Sequence, residues 1–382
     1  MIPYSRQNIS YDDINAVSDV LRSDFLTQGP VTRRFESAVA QYCGASHAIA
    51  TVNATAALHV AMLLCDVSDQ DIVWVPAISF VATANCARYC DATVTFLDCE
   101  KDTGLLALNA LDEKLVQADK AGLLPKVLVV VHLAGHSVDM ERVHELCNPY
   151  DIRVVEDASH ALSGEYKGRR IGCCLYSDYS IFSFHPVKPV TSGEGGMLVT
   201  NHTEVVERAR RLIEHGIERN IEGHLYGSKG PWYYEQQDLG FNYRLSDIHA
   251  ALGLSQLSRL DGFLLERERL ASHYSQRLSE GQMPLTKLAQ NPDCRSSWHL
   301  YVVQCQDQEF RDKFLNRLRK AGFGANLHYM PIPAHPYYIA LGMRMTDFPN
   351  AQAYAETSLS LPLFPGLQVA HIDTVLEMSL EL

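Results

Sequence analysis

A single lysine in this chain occupies a setting that could make its amine a nucleophile. The run Phe182-Ser183-Phe184-His185-Pro186-Val187-Lys188-Pro189-Val190-Thr191-Ser192-Gly193-Glu194-Gly195-Gly196 begins at the end of an apolar stretch. Its two prolines disfavour a regular helix and hold Lys188 on a rigid loop, and the glycines that follow allow close backbone approach. A lone lysine is ordinarily a solvated charge. Here apolar strands on both sides argue for partial desolvation, which lowers an amine pKa and frees the lone pair. A carboxylate stands in Val154-Val155-Glu156-Asp157-Ala158-Ser159-His160, just past another apolar run. An ionised Asp157 there needs a partner. A cationic ring nitrogen of a bound cofactor would serve, and so would the first amides of a following helix; the spacing does not choose between them.

Two further segments are polar at strand ends, where open α/β sheets bind ligands. Asn53-Ala54-Thr55-Ala56-Ala57 opens a helix directly after a strand. Amides and a hydroxyl at a helix N-terminus form an anion site, although Thr55 taken alone reads as a plain N-cap. Gly240-Phe241-Asn242-Tyr243-Arg244-Leu245-Ser246-Asp247 is a polar turn before a helix. Glu194, among glycines, reads as structural. His132 and His136 are four apart but lack the Glu of H-E-x-x-H, so they line a loop and no metal site is expected. Neither a G-x-G-x-x-G nor a G-x-x-x-x-G-K-[ST] pattern supports a nicotinamide or P-loop nucleotide enzyme.

These segments have to be positioned by short buried strands. Ala48 to Val52, Ile72 to Val75, Val94 to Leu97, Val127 to Val131, Ile152 to Val155, Ser180 to Phe184 and Met197 to Thr200 are rich in Val and Ile. They are apolar at odd and even positions alike, which suits strands covered on both faces. Helical patterns alternate with them, so a mostly parallel sheet with helices on each side is predicted. Ser10 with Asp13 resembles a capping box for a first helix to about Arg22. A second helix runs from Arg33 to Cys43 and stops at Gly44. An amphipathic stretch from Ser246 to about Gly281 carries Glu266-Arg267-Glu268-Arg269, a charge run that reads as a solvated face. Beyond it, strands at Leu300 to Cys305 and Gly324 to His328, with helices at Asp307 to Ala321 and near Ala351 and Val369, form a compact α+β unit. The division falls near residue 255, giving a large α/β domain over 1–255 and a smaller one over 256–382.

The 382 residues suffice for two or three folding units and a large core. With 33 Lys plus Arg against 45 Asp plus Glu, the net charge of −12 disfavours a general grip on nucleic acid or anionic lipid. The uncharged stretch from Ser37 to Cys65 is too often interrupted by polar residues to span a membrane and reads as core. No secretory leader precedes the first helix, so a cytoplasmic protein is expected, with its 10 cysteines as reduced, buried thiols.

In order and spacing these segments resemble the DegT/DnrJ/EryC1/StrS family of pyridoxal-phosphate-dependent sugar aminotransferases. The likeness runs from Ser-Asp-Phe-Leu-Thr-Gln-Gly at 23–29, through Pro-Ala-Ile-Ser-Phe-Val-Ala-Thr-Ala-Asn at 76–85, to His328-Tyr329-Met330-Pro331. It implies the aspartate-aminotransferase type of fold (fold type I), with a large mostly parallel sheet domain, a small α+β C-terminal domain, and a homodimer with shared sites. By that resemblance Lys188 matches the lysine that binds the cofactor's aldehyde, Asp157 the partner of its pyridine nitrogen, and Phe80 the ring stacked on it. Thr55 and Ser183 match phosphate contacts, and Asn242 matches a phosphate contact made from the neighbouring subunit. His160 falls where the family often has Gln or His near the cofactor's phenolic oxygen. Tyr4, Asp24, Phe25, Leu26, Thr27, His328, Tyr329, Met330 and Pro331 would touch a nucleotide sugar. Family members with His in place of this lysine are sugar dehydratases, so Lys188 favours transamination. The phrases around Tyr4-Ser5, Leu26 to Gly29 and Lys188 are most similar to the branch that serves pseudaminic acid and surface-glycan synthesis. That branch moves an amine from L-glutamate to C4 of a UDP-linked 4-keto-6-deoxy-sugar. Amination of another UDP- or dTDP-linked ketosugar, or a regulatory cofactor-binding role, are the alternatives; a DNA-acting regulator would add a basic winged-helix segment.

Overall fold

The computed structural model describes residues 1–281 and 283–382. Seven strands build the main sheet: β1 (His47–Thr51), β2 (Ile72–Pro76), β3 (Thr93–Leu97), β4 (Val127–Val131), β5 (Arg153–Asp157), β6 (Tyr179–Ser183) and β7 (Gly196–Thr200). Their order is β1-β7-β6-β5-β4-β2-β3. The pairs from β3 to β6 are parallel, and β7 alone runs antiparallel to both its neighbours. The seven apolar runs therefore become the seven strands, within a residue or two at each end. All five residues of β4, Val127 to Val131, are buried, as a central parallel strand covered on both faces requires. Parallel pairing also gathers the C-terminal ends of β2, β4, β5 and β6 along one edge, which places Ser79, Asp157 and Ser183 close to one another.

Around the sheet, α1 (Tyr11–Leu21) starts with the expected capping box of Ser10 and Asp13. Helix α2 (Pro30–Cys43) starts three residues earlier than the pattern predicts, with Pro30 at its first position and Gly44 in the left-handed conformation at its end. Its N-cap, Gly29, has no side chain to offer. The buried carboxylate of Asp247 serves instead, accepting from Gly29 N at 3.2 Å, Val31 N at 3.0 Å and Thr32 Oγ1 at 2.6 Å. Helix α3 (Ala54–Leu64) is buried along almost its whole length, so the uncharged stretch is protein core. No helix among the described residues is long and apolar enough to cross a membrane.

Several expectations for the last third need correction. The stretch from Ser246 to Gly281 is two helices, Asp247–Leu257 and Leu260–Glu280, broken at Ser258 and Arg259. Arg267 is not on a solvated face. It shares the buried side of its helix with Phe263, Leu264, Leu270 and Tyr274, and its guanidinium donates to the carbonyls of Trp298, His299 and Leu363. Three carbonyl acceptors make the burial of that cation tolerable. The small antiparallel sheet consists of Leu285–Lys287, Tyr301–Cys305 and Ser358–Leu361, with the second in the middle. Residues 324–328 are not a strand; only Asn326 bridges to Ser360. The chain's own start occupies that flank, since Ile2 N donates to Gly322 O and Gly324 N donates to Ile2 O. Residues at the N-terminus thus pair across the division expected near residue 255. All ten cysteines are free, and Cys90, Cys173 and Cys294 are half-buried where full burial was expected.

Asp247 ties the start of α2 to a helix more than two hundred residues away through charge-assisted bonds. Asp247→Ala is expected to lower stability by about 1.5–3 kcal/mol, because it removes three charge-assisted bonds and strands half-buried donors. Asp247→Asn, which keeps one acceptor oxygen, should lose less. The urea midpoints of the two variants measure this, and an unchanged midpoint for Asp247→Ala would remove Asp247 as the cap of α2.

Candidate active site

At the C-terminal edge of the parallel strands lies a cavity of about 430 Å³. Tyr4, Thr55, Phe80, Asp157, His160, Ser183, Lys188, His328 and Tyr329 all line it. The chain brings these residues together from six separate segments.

Lys188 stands in the connection between β6 and β7, which is closed on itself. Phe184 N donates to Gly195 O, Ser192 N and Thr191 Oγ1 donate to Phe184 O, and Lys188 N donates to His185 O. From outside, the Ser5 hydroxyl donates to Val187 O at 2.9 Å, so the N-terminal arm that carries Tyr4 also pins the lysine loop. The side chain is half-buried, and desolvation of the amine brings its pKa down from 10.5 to about 8, with Asp157 pulling weakly the other way. This is the desolvated lysine expected from its flanking strands.

Asp157 is the last residue of β5 and is buried. Its Oδ1 accepts from Ser159 N at 3.2 Å, and its Oδ2 accepts from Thr83 Oγ1 at 2.6 Å. No helix follows for it to cap: residues 159–163 are turns. Among the described residues no Lys, Arg or His forms an ion pair with it. The carboxylate therefore faces the cavity without a cation of its own.

At the opposite end, Thr55 is the second residue of α3. The N-cap is Asn53, whose side chain accepts from Ala56 N at 2.8 Å, which corrects the reading of Thr55 as the cap. The Thr55 hydroxyl is thereby left to the cavity. Gly196 makes this end possible. A Cβ there would lie 2.4 Å from the Asn53 carbonyl carbon and 2.5 Å from Ala54 N, so only glycine lets β7 pass under the start of α3 beside Ser183.

Phe80, 57 % exposed, covers the cavity from the loop after β2, with its ring 6.1 Å from that of Tyr329. The ring of His160 is fully engaged. Its Nδ1 faces Ala134 N at 3.2 Å and its Nε2 the Tyr329 hydroxyl at 3.0 Å. An amide can only donate, so Nδ1 accepts and the proton of the neutral ring sits on Nε2. Burial, reinforced by the nearby ammonium of Lys188, keeps His160 neutral, with a pKa well below the ordinary value. His328 is pushed down to about 3, chiefly by burial.

Other candidate residues stand elsewhere in the chain. Asn242 is exposed on the segment that bridges to Glu214. Asp24 and Phe25 border a separate groove between α1, α2 and the helix Asp247–Leu257. Leu26 and Thr27 pair with Asp247 and Ser246. Met330 is exposed and Pro331 buried, next to the cavity in sequence but not among its lining residues. The sequence reading missed Ser79, Ser159 and Asn326 in the wall and Thr83 behind it. The hydroxyls of Ser79 and Thr83, four residues apart in the segment quoted for its resemblance, were a legible signal. Glu194, read as structural, lines the mouth with His185. His132 is structural as read, bonded at 2.6 Å to buried Glu156.

A buried carboxylate without a cation, a desolvated lysine, a ring over the gap and a glycine-cradled helix N-terminus fit pyridoxal phosphate, which brings a ring nitrogen, an aldehyde, a flat face and a phosphate. Fold and site together define a pyridoxal-phosphate-dependent transferase of fold type I. Residues 7–379 match the DegT/DnrJ/EryC1/StrS aminotransferase family, and the chain belongs to it. It is 35% identical over 370 residues to the UDP-4-amino-4,6-dideoxy-N-acetyl-beta-L-altrosamine transaminase of Campylobacter jejuni, covering 95% of this chain and 92% of that one. Among solved structures it superposes on Helicobacter pylori PseC, an aminotransferase involved in pseudoaminic acid biosynthesis, with a TM-score of 0.89 and 32% identity over 100% of this chain and 98% of that one. The pyridoxamine-phosphate form of a sugar aminotransferase from Streptococcus pneumoniae gives 0.90 and 29%, covering both chains completely. The chain is a pyridoxal-phosphate-dependent sugar aminotransferase.

The state of the lysine can be read without any cofactor. In the apoprotein, Lys188 should be protonated and inert below about pH 8 and become acylated as pH rises through that value, well before ordinary lysines near 10.5. Asp157→Asn removes the charge that favours the ammonium, so its midpoint should fall lower still. Peptide mapping after pulsed acylation gives both midpoints, and a Lys188 midpoint near 10.5 would contradict the desolvated setting.

Proposed function

We propose that this enzyme moves an amino group from L-glutamate to C4 of a UDP-linked 4-keto-6-deoxy-N-acetylhexosamine, yielding the 4-amino sugar for a pseudaminic acid type of surface glycan. The cavity that joins Lys188 to Asp157 carries the transaminase part of this reading. The substrate rests on the joint likeness to the Campylobacter transaminase and to PseC over nearly whole chains. The equally good superposition on the Streptococcus enzyme favours a second reading, in which the same chemistry serves a different nucleotide-linked ketosugar.

Bound pyridoxal phosphate would supply the electron sink that stabilises loss of a proton from an amine-bearing carbon. The protein's part follows from its residues. Lys188 would hold the cofactor through its amine, and its Nζ is the group that would take and return the proton of the donor's α-carbon. Asp157 would keep a proton on the ring nitrogen. The first amides of α3, with the hydroxyls of Thr55 and Ser183, would hold the phosphate. Phe80 would cover the ring and exclude water. His160, with its proton on Nε2, orients the Tyr329 hydroxyl so that its own O–H points toward the cavity, where the phenolic oxygen or the sugar would lie. Tyr4 and His328 border the space left for the sugar.

The remaining candidates belong to a homodimer in this reading. Asn242 of the partner subunit would reach the phosphate. Asp24 to Thr27 lie on the same surface, since Thr27 pairs with Ser246, and would also act across the interface. An unpaired apolar surface supports the dimer: Leu225, Tyr226, Trp232 and Leu239, just before Asn242, are 71 to 83% exposed in the single chain.

The purified enzyme with pyridoxal phosphate should absorb in the visible, and borohydride should fix the cofactor to Lys188. Lys188→Ala should turn over nothing. A panel of UDP- and dTDP-linked ketosugars made in situ, with glutamate and mass-spectrometric detection, should show amination of the UDP-linked 4-keto-6-deoxy-L-sugar; preference for a different ketosugar selects the second reading. A separate test addresses the shared site. Lys188→Ala and Asn242→Asp, each inactive alone, should regain activity when co-expressed, because one mixed site then has both native residues. No recovery would place Asn242 outside the partner's site.

A further inference from the structure

The hydroxyls behind Asp157 form a directed chain. Ser79, in the bend before the helix Ala82–Arg88, and Thr83, the second residue of that helix, are both buried. Ser79 Oγ lies 2.6 Å from Thr83 Oγ1, and Thr83 Oγ1 lies 2.6 Å from Asp157 Oδ2. A hydroxyl has one proton to give, and a carboxylate has none. The Thr83 proton therefore points to Asp157, and Ser79 must donate to Thr83. The direction is Ser79 to Thr83 to Asp157, and it starts at a residue that lines the cavity. The carboxylate's other oxygen receives only the longer bond from Ser159 N, and no basic side chain among the described residues pairs with it. Thr83 is thus the principal fixed donor to the one group assigned to the ring nitrogen.

We propose that Thr83, supported by Ser79, is a positioning residue that sets how strongly Asp157 competes for the proton on the cofactor's ring nitrogen. This rests on the assignment of Asp157 to that nitrogen. A short bond from a hydroxyl draws charge off the carboxylate and makes it a weaker base, and donation from Ser79 strengthens that bond, since hydrogen bonds in a dry chain polarise one another. The shared proton then stays on the ring, where it keeps the ring an effective electron sink. Without the Thr83 hydroxyl, Asp157 regains basicity and the proton moves toward the carboxylate, by about ten- to a hundredfold in the equilibrium, the value of one hydrogen bond to a charged group. The same chain holds the carboxylate's rotation, because Oδ2 is tied to the helix and Oδ1 to the turn after β5.

The test is the ¹⁵N resonance of the ring nitrogen in holoenzyme loaded with ¹⁵N-labelled pyridoxal phosphate. Thr83→Val, nearly the same shape without the hydroxyl, should move the signal toward that of an unprotonated pyridine and lower kcat about ten- to a hundredfold with little change in KM. Thr83→Ser should restore both. Ser79→Ala, one link further out, should give a smaller shift of the same sign, and it carries the test if the valine variant fails to fold or to bind the cofactor. Asp157→Asn is the reference. If it leaves the nitrogen signal unchanged, the assignment of Asp157 fails and the relay fails with it. If it moves the signal but Thr83→Val, or Ser79→Ala in its place, does not, the relay alone is overturned.

Discussion

A buried carboxylate without a cation of its own is the constraint around which this structure is arranged. Asp157 ends a strand whose other buried residues are apolar or paired within the chain, and it is held by one hydroxyl and one amide. Leaving a charge in that position is unfavourable unless something positive completes it. The other walls of the cavity show what is required: an amine able to lose its proton near pH 8, and a helix start that attracts anions. Together they specify a flat ligand with a cationic nitrogen at one end and a phosphate near the other.

The fold meets that specification through strand direction. Parallel strands turn their C-terminal ends to one edge, so Asp157 and Ser183 stand at the ends of neighbouring strands β5 and β6. The reversed strand β7 does separate work. Because it runs back beneath α3, its first residue meets the helix N-terminus, and Gly196 is small enough for the contact. A purely parallel sheet would have carried the chain away from the start of α3. The Lys188 loop is the tight return that this reversal requires, which explains why the nucleophile sits on a segment closed by its own hydrogen bonds and not on a mobile connection.

Much of this was legible in the sequence where a residue's neighbours along the chain determine its surroundings. Apolar runs of Val and Ile became strands, the capping box of Ser10 formed, and Lys188 between prolines proved desolvated. The misses arose where distant segments decide. Thr55 looked like a cap because Asn53, two residues earlier, was not weighed as the better one. Arg267 looked solvated because its charged neighbours do face out, while the carbonyls that accept its protons come from residues 298, 299 and 363. Residues 324–328 had strand composition, but their backbone pairing is split between Ile2, which meets Gly324, and Ser360, which meets Asn326. Thr83 escaped notice because its carboxylate partner lies 74 residues away, although Ser79, four residues earlier, marked a second hydroxyl close by.

The charge inside the site also follows from competition and not from the acidic surface of the whole protein. Three imidazoles, those of His160, His299 and His328, stand within or behind the cavity wall, and burial drives all three toward the neutral form. The nearby ammonium of Lys188 pushes each in the same direction. A single positive charge can therefore reside there readily, and the amine, with the highest affinity for a proton, takes it. Of the three, His160 has its tautomer fixed by backbone, since Ala134 N donates to Nδ1 and leaves the proton on Nε2 for the Tyr329 hydroxyl. Orientation without charge is what a site needs when its reaction consists of moving one proton between two carbons, because a second mobile proton would offer the electron pair a competing destination.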